Sequence, residues 1–181
     1  VGINLGHRGF LINTVVEVTP KFINGAFIHR RAPLLEVEAK KPNGAKRRTF
    51  AFNDAHVRVR SPRAGWFEVE VDGEIRIPKL VADGVLVATA AGSTAYATAM
   101  GANPVPIGME VLIVVGSNVS EPRSWKHGAN LPLGSEVVFR TKDPDRWRKI
   151  YGVADSASLG EVVEMRIRSS KTAAVELLLM P

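Results

Sequence analysis

Phe67-Glu68-Val69-Glu70-Val71-Asp72-Gly73-Glu74-Ile75-Arg76-Ile77 is the stretch that decides the fold class. Apolar and charged residues alternate with a period of two, which places the apolar side chains on one face of an extended strand. Asp72-Gly73 breaks the alternation and supplies the positive φ angles of a tight turn, so the stretch predicts a β-hairpin. Ile75 and Ile77 are expected on the same buried face. Pro78 has no N–H for the ladder and is expected to end the second strand.

Working outward, a second hairpin is predicted around Asn43-Gly44. Leu35, Val37 and Ala39 lead into it, and Thr49-Phe50-Ala51-Phe52 leads out. Its tip carries Lys40, Lys41, Lys46, Arg47 and Arg48. Those charges fit either a guard against edge-to-edge pairing or a clamp for phosphates, and a flexible lysine-rich tip favours the guard. Val111–Val115, Glu136–Arg140, Val162–Arg168 and Ala174–Leu179 read as further strands, being rich in β-branched residues and bounded by turn formers. One stretch argues for helix: Ser93 to Met100 is alanine-rich, follows Gly92 and stops at Gly101. The class is mainly β with one short helix. With no repeat, low-complexity tract or clear linker, one domain is expected to cover residues 1–181.

Composition bounds the function. Hydrophobic residues make up 45% and charged residues 23%, ordinary values for a soluble globular domain. No apolar run approaches the length of a membrane-spanning helix. The chain has 0 Cys, which excludes disulfides and thiolate metal sites and suits a cytoplasmic location. The net charge of +6 suits anionic partners, although a basic surface also serves solvation alone. There is no phosphate-cradling Gly-Lys-Ser/Thr loop, and Gly2, Gly6 and Gly9 lack the dinucleotide-fingerprint spacing. His7, His29, His56 and His127 are scattered, with no two at metal-ligand spacing, and read as structural or surface histidines.

The chemistry is concentrated in Ala82-Asp83-Gly84-Val85-Leu86-Val87-Ala88-Thr89-Ala90-Ala91-Gly92-Ser93-Thr94-Ala95-Tyr96. It reads as an acidic turn, a buried strand, a small-residue loop and a helix start. Free N–H groups at a helix start bind oxyanions and sugar oxygens, and small residues let a ligand approach the backbone. Asp83 can accept hydrogen bonds from an amide or from two sugar hydroxyls, and Tyr96 can offer a ring face. A plain strand-to-helix turn with a serine cap fits the loop equally well.

Here the sequence resembles the NAD kinase family. Asp83-Gly84 followed by Gly92-Ser93-Thr94-Ala95-Tyr96 is similar to that family's Asp-Gly … Thr-Pro-Thr-Gly-Ser-Thr-Ala-Tyr. The opening Gly2-Ile3-Asn4-Leu5-Gly6-His7-Arg8-Gly9-Phe10-Leu11 resembles its Gly-Val/Ile-Asn-x-Gly-x-Leu-Gly-Phe-Leu, and Ala51-Phe52-Asn53-Asp54 its Ala-Leu-Asn-Glu/Asp. The three motifs follow the family's order. The resemblance implies a many-stranded β-sandwich-like domain with one short helix after the Gly-Ser-Thr-Ala-Tyr loop. It implies transfer of a phosphoryl group from ATP or polyphosphate to the 2′-hydroxyl of the adenosine ribose of NAD, giving NADP. It further implies a Mg²⁺ ion carried by the donor, and a homo-oligomer in which a neighbouring subunit completes the site.

By the same match, Asn53 and Asp54 contact NAD and Asp83 holds its nicotinamide end. Ala91, Thr94, Ala95, Tyr96, Ala97 and Thr98 line the site. Phe10 edges the adenine pocket, or equally packs in the core. Ala90 and Ala91 replace the family's Pro and Thr, Arg8 replaces a Leu, Met100-Gly101-Ala102-Asn103-Pro104 stands for Ala-Gly-Gly-Pro, and Asp155-Ser156-Ala157 stands for Asp-Gly-Gln. The family's Gly-Gly-Asp-Gly-Thr, which acts on the attacking hydroxyl and the donor phosphates, does not occur in these residues. The expectation is therefore an NAD-binding half with no catalytic residue of its own, inactive alone. A non-catalytic dinucleotide-binding module is the alternative. A nucleic-acid-binding module is weaker, because Trp66, Trp125 and Trp147 are not interleaved with the basic cluster. A lipid-kinase relative would lack the Gly-Ser-Thr-Ala-Tyr pattern.

Overall fold

The computed structural model describes residues 27–142 and 148–179. Two antiparallel six-stranded sheets face each other. The strands are β1 (Ile28–Lys40), β2 (Lys46–Ala51), β3 (Asp54–Val59), β4 (Gly65–Val71), β5 (Glu74–Ala82), β6 (Gly84–Thr89), β7 (Val111–Ser117), β8 (Ala129–Pro132), β9 (Glu136–Thr141), β10 (Ile150–Ala154), β11 (Ala157–Val162) and β12 (Glu164–Leu179). The first sheet runs β2-β1-β12-β9-β4-β5 and the second β11-β10-β3-β6-β7-β8. This is the expected mainly β sandwich.

The alternation that predicted the strands also builds the core. Leu35 and Val37 of β1, Phe67 and Val69 of β4, Phe139 of β9 and Ile167 of β12 point inward from the first sheet. Val57, Val85, Val87, Leu112 and Val114 meet them from the second. The outer face of the first sheet is a lattice of alternating charge. Arg140 sits among Glu68, Glu70 and Glu164 at 3.2, 2.6 and 2.8 Å. Arg166 pairs with Glu136, and Arg168 pairs with Glu36 at 2.9 Å.

Both hairpins form. Asp72 and Gly73 have φ of 54° and 82°. Gly44 has φ 83°, and the Asn43 side chain accepts the Ala45 N–H at 3.1 Å. At the second tip Lys46 and Arg48 each reach Glu38 at 2.7 Å, and β2 is an edge strand, in keeping with the guard.

Four expectations need correction. Pro78 does not end β5, which continues to Ala82. β5 is an edge strand, and its pairing with β4 skips between Ile77 and Leu80, so the missing N–H falls at a bulge. A second irregularity sets Val69 opposite Ile77 but Glu70 opposite Ile75. Ile75 therefore joins the outer face at 54% exposure while Ile77 is buried at 9%. Val162–Arg168 and Ala174–Leu179 are not two strands. Residues from Glu164 to Leu179 form the single strand β12, kinked where pairing to β1 jumps from Ser169 to Ala174. The Ser170 hydroxyl holds that kink by accepting the N–H groups of Thr172 and Ala173. Finally, the helix is split. A 3₁₀ turn covers Ala91–Thr94, and the helix proper, α1, is Tyr96–Ala99.

Candidate functional site

The site grows out of β6. Its residues Gly84-Val85-Leu86-Val87-Ala88-Thr89 are all buried, which an alternating strand would not allow. The reason is a second cluster on the outer side of the second sheet. Leu86 and Ala88 of β6, Ile113 and Val115 of β7, and Ala97 and Ala102 form it, with Met100 and Val105 packed against it. The segment after β6 thus folds back over its own sheet and is anchored there by burial.

The loop is fixed by contacts that need its small residues. Gly92 lies so close to the Asn53 backbone that a Cβ would stand 2.0 Å from the Asn53 carbonyl oxygen. The Thr89 hydroxyl donates to the Phe52 carbonyl at 2.8 Å and accepts the Gly92 N–H at 3.1 Å. Ser93, fully buried, is not a helix cap. Its hydroxyl donates to the Val105 carbonyl and accepts the Val105 N–H. The Ser93 and Ala95 N–H groups are used by Ala90 and Gly92 carbonyls. The N–H groups of Gly92, Ser93 and Ala95 are thus spent on shaping the loop, where a helix start was expected to leave N–H groups free.

On the facing side, Asp155 has φ 48°, and its carboxylate accepts the N–H groups of Phe52, Asn53 and Asp54 at 2.8, 2.8 and 3.3 Å. One carboxylate therefore sets the path of the Asn53-Asp54 pair. The sequence signal was present, since Asp155 stands where the family has an aspartate. Its use as a backbone clamp was not legible.

Asp83 closes the site from below. Its N–H donates to the Ser117 carbonyl at 2.9 Å, and Asn118 Nδ2 donates to its Oδ2 at 2.6 Å. Asp83 and Tyr96 come together with His56, Arg58, Met100 and Ser117 around a cleft of about 230 Å³. Asp54 lies behind it, its Oδ1 3.2 Å from His56 Nδ1. The His56 and Tyr96 rings meet edge to face at 5.1 Å. His56, which its sequence spacing marks as structural, is thus a cleft residue. Alternation along β3 was the available signal, because it puts Asp54, His56 and Arg58 on one face.

The remaining site candidates are spread around the loop. Thr94 is half-buried and Ala95 exposed. Thr98 is exposed, and its hydroxyl donates to the Ser93 carbonyl at 2.5 Å. Ala97 is wholly buried in the second cluster, so its visible contribution is packing. Ala91 borders a different cleft of about 210 Å³, with Arg31, Thr89 and Gly108. Phe10 and the Gly2–Leu11 motif lie outside the described residues.

No family model matches the chain. Relatives matched along nearly all of this chain do. It is 33% identical to the NAD kinase of Xylella fastidiosa over 180 residues, covering 99% of this chain and 68% of that protein. It is 34% identical to the NAD kinase of Xanthomonas campestris pv. campestris over 184 residues, covering 99% and 70%. The chain belongs to the NAD kinase family. The fold agrees with solved NAD kinase structures. Yeast NADH kinase complexed with NADH superposes with a TM-score of 0.82 at 21% identity, over 99% of this chain and 53% of that one. The Archaeoglobus fulgidus NAD kinase in complex with ATP superposes with a TM-score of 0.66 at 22% identity, over 84% and 55%. The chain therefore spans about half of those two solved chains.

Proposed function

We propose that this chain supplies the NAD-binding half of an NAD kinase. That enzyme moves a phosphoryl group from ATP or polyphosphate to the 2′-hydroxyl of the adenosine ribose of NAD and so makes NADP. The observation that carries the proposal is the gathering of Asp83 and Tyr96 at one cleft, with Asp54 behind it, in a chain of this family. The complexes of yeast NADH kinase with NADH and of the Archaeoglobus NAD kinase with ATP support the two substrate classes.

In this proposal Asp83 holds the nicotinamide end and Tyr96 lends its ring. Asn53 and Asp54, on their Asp155 clamp, hold the dinucleotide beside the loop of Thr94, Ala95 and Thr98. Phe10 edges the adenine pocket. Among the described residues no three His, Asp or Glu side chains gather as a metal site. Mg²⁺ is assigned to the donor by the family resemblance, where it would neutralise phosphate charge. The groups that act on the hydroxyl and cradle the donor are assigned to the Gly-Gly-Asp-Gly-Thr motif, which these 181 residues do not contain. The enzyme is proposed to work as a cytoplasmic homo-oligomer, which light scattering and cell fractionation test.

The deciding experiment is a coupled assay for NADP, run with ATP and separately with polyphosphate. The expected result is background turnover from the 181-residue chain and sustained turnover from a polypeptide that also carries the glycine-rich motif. Sustained turnover by the 181 residues alone, abolished by Asp83→Ala, would overturn the division of labour.

A further inference from the structure

The cleft holds one ring nitrogen that the family motifs do not account for. His56 is 8% exposed and Asp54 5%. Their contact is 3.2 Å, from His56 Nδ1 to Asp54 Oδ1. A carboxylate only accepts, so the contact puts a proton on Nδ1, and with that single proton on the ring Nε2 is an acceptor. Nε2 has no hydrogen-bond partner among the described residues, and it is not sealed off as a buried orphan. It belongs to a residue lining the cleft, and the edge-to-face contact with Tyr96 fixes the ring plane.

Asp83 brings a second acceptor to the same cleft. Asn118 occupies its Oδ2, and Oδ1 has no protein partner among the described residues. Two acceptors bordering one small cleft call for a ligand group with two N–H bonds. A primary carboxamide has them. The corresponding carboxylate has no N–H for either group and leaves both unpaired, whatever its charge gains from Arg58, which also borders the cleft.

We propose that His56 Nε2 and Asp83 together accept the two N–H bonds of the nicotinamide carboxamide, which makes His56 a specificity-determining residue for the amide over the acid. The assignment rests on the NAD-site reading of the cleft. Asp54 is the positioning residue, because it sets the His56 tautomer.

The test compares NAD with its carboxylic acid analogue, nicotinic acid adenine dinucleotide, as substrates of the full-length enzyme. His56→Asn keeps a side-chain N–H near the Nδ1 position for Asp54 and removes Nε2. His56→Gln puts a carbonyl near the Nε2 position and gives up the Asp54 bond. His56→Asn is expected to narrow the NAD-over-acid ratio of kcat/KM roughly ten-fold, mainly through KM for NAD, while His56→Gln keeps most of it. In the unmodified enzyme the ¹⁵N shift of His56 Nε2 should move when NAD is added and stay in place with the acid. An unchanged ratio in folded His56→Asn, an equal collapse in both variants, or an Nε2 signal indifferent to NAD would each overturn the assignment. If the unmodified enzyme neither binds nor phosphorylates NAD, the site reading itself falls. If it does both, and the His56 results fail, only the role of His56 is lost.

Discussion

Gly92 and Asp155 show how single residues shape the loop from opposite sides. A methyl group at Gly92 would collide with the Asn53 carbonyl, so Gly92→Ala must push the loop away from β3. Denaturant melts should show a loss of roughly 1–3 kcal/mol, and calorimetry a weaker NAD complex. Asp155→Ala releases three backbone N–H groups and should cost about 2 kcal/mol or more. Asp83→Ala and Asn53→Ala are expected to lower NAD affinity about ten-fold to a hundred-fold while leaving the melting temperature near that of the parent. Unchanged affinity in both variants would remove them from the site. Residue types and order single out Asn53, Asp83 and Tyr96 as candidates, and the structure brings Asp83 and Tyr96 to one cleft. His56 was not, because the Asp54 contact and the Tyr96 edge contact depend on which strand lies beside which.

Strands were legible where one face is buried and the other wet, as in β4. They were misread where that condition fails. β5 slips its pairing twice, and no local pattern announces an extra residue on an edge strand. Its consequence can be measured: Ile77→Thr should cost roughly 1–3 kcal/mol, whereas Ile75→Thr should stay within about 0.5 kcal/mol. Equal costs would mean that both isoleucines face inward, as the plain alternation has it. The β1–β2 hairpin carries a pH signature. Hydrogen bonds from Lys46 and then Arg48 hold the Glu38 carboxyl down from its ordinary 4.5 to about 2. A depressed folded value means the contribution is whole above pH 4.5 and fades as the pH falls toward 2. Thermal melts across that window should fall less steeply for Glu38→Gln than for the parent. Lys46 and Arg48 are well exposed, so added salt should shrink the difference.

At the level of the whole molecule, two sheets of opposed apolar faces account for a far-UV circular dichroism spectrum dominated by strand, and a helix-dominated spectrum would contradict the fold. Sheet membership lay beyond the sequence, because pairing partners such as β3 and β6 are separated by an entire hairpin. The double burial of β6 has a kinetic consequence. Amides of Val85 to Ala88 can exchange with deuterium only when the main core and the outer cluster open together. The loop from Ala90 to Ala95 needs the outer cluster alone to open. Deuterium uptake should therefore be slowest in β6 and markedly faster in the loop that leaves it. Bound NAD should slow uptake in the loop by more than it slows β6. A dinucleotide held by that loop would thereby report on a local opening distinct from the unfolding of the molecule.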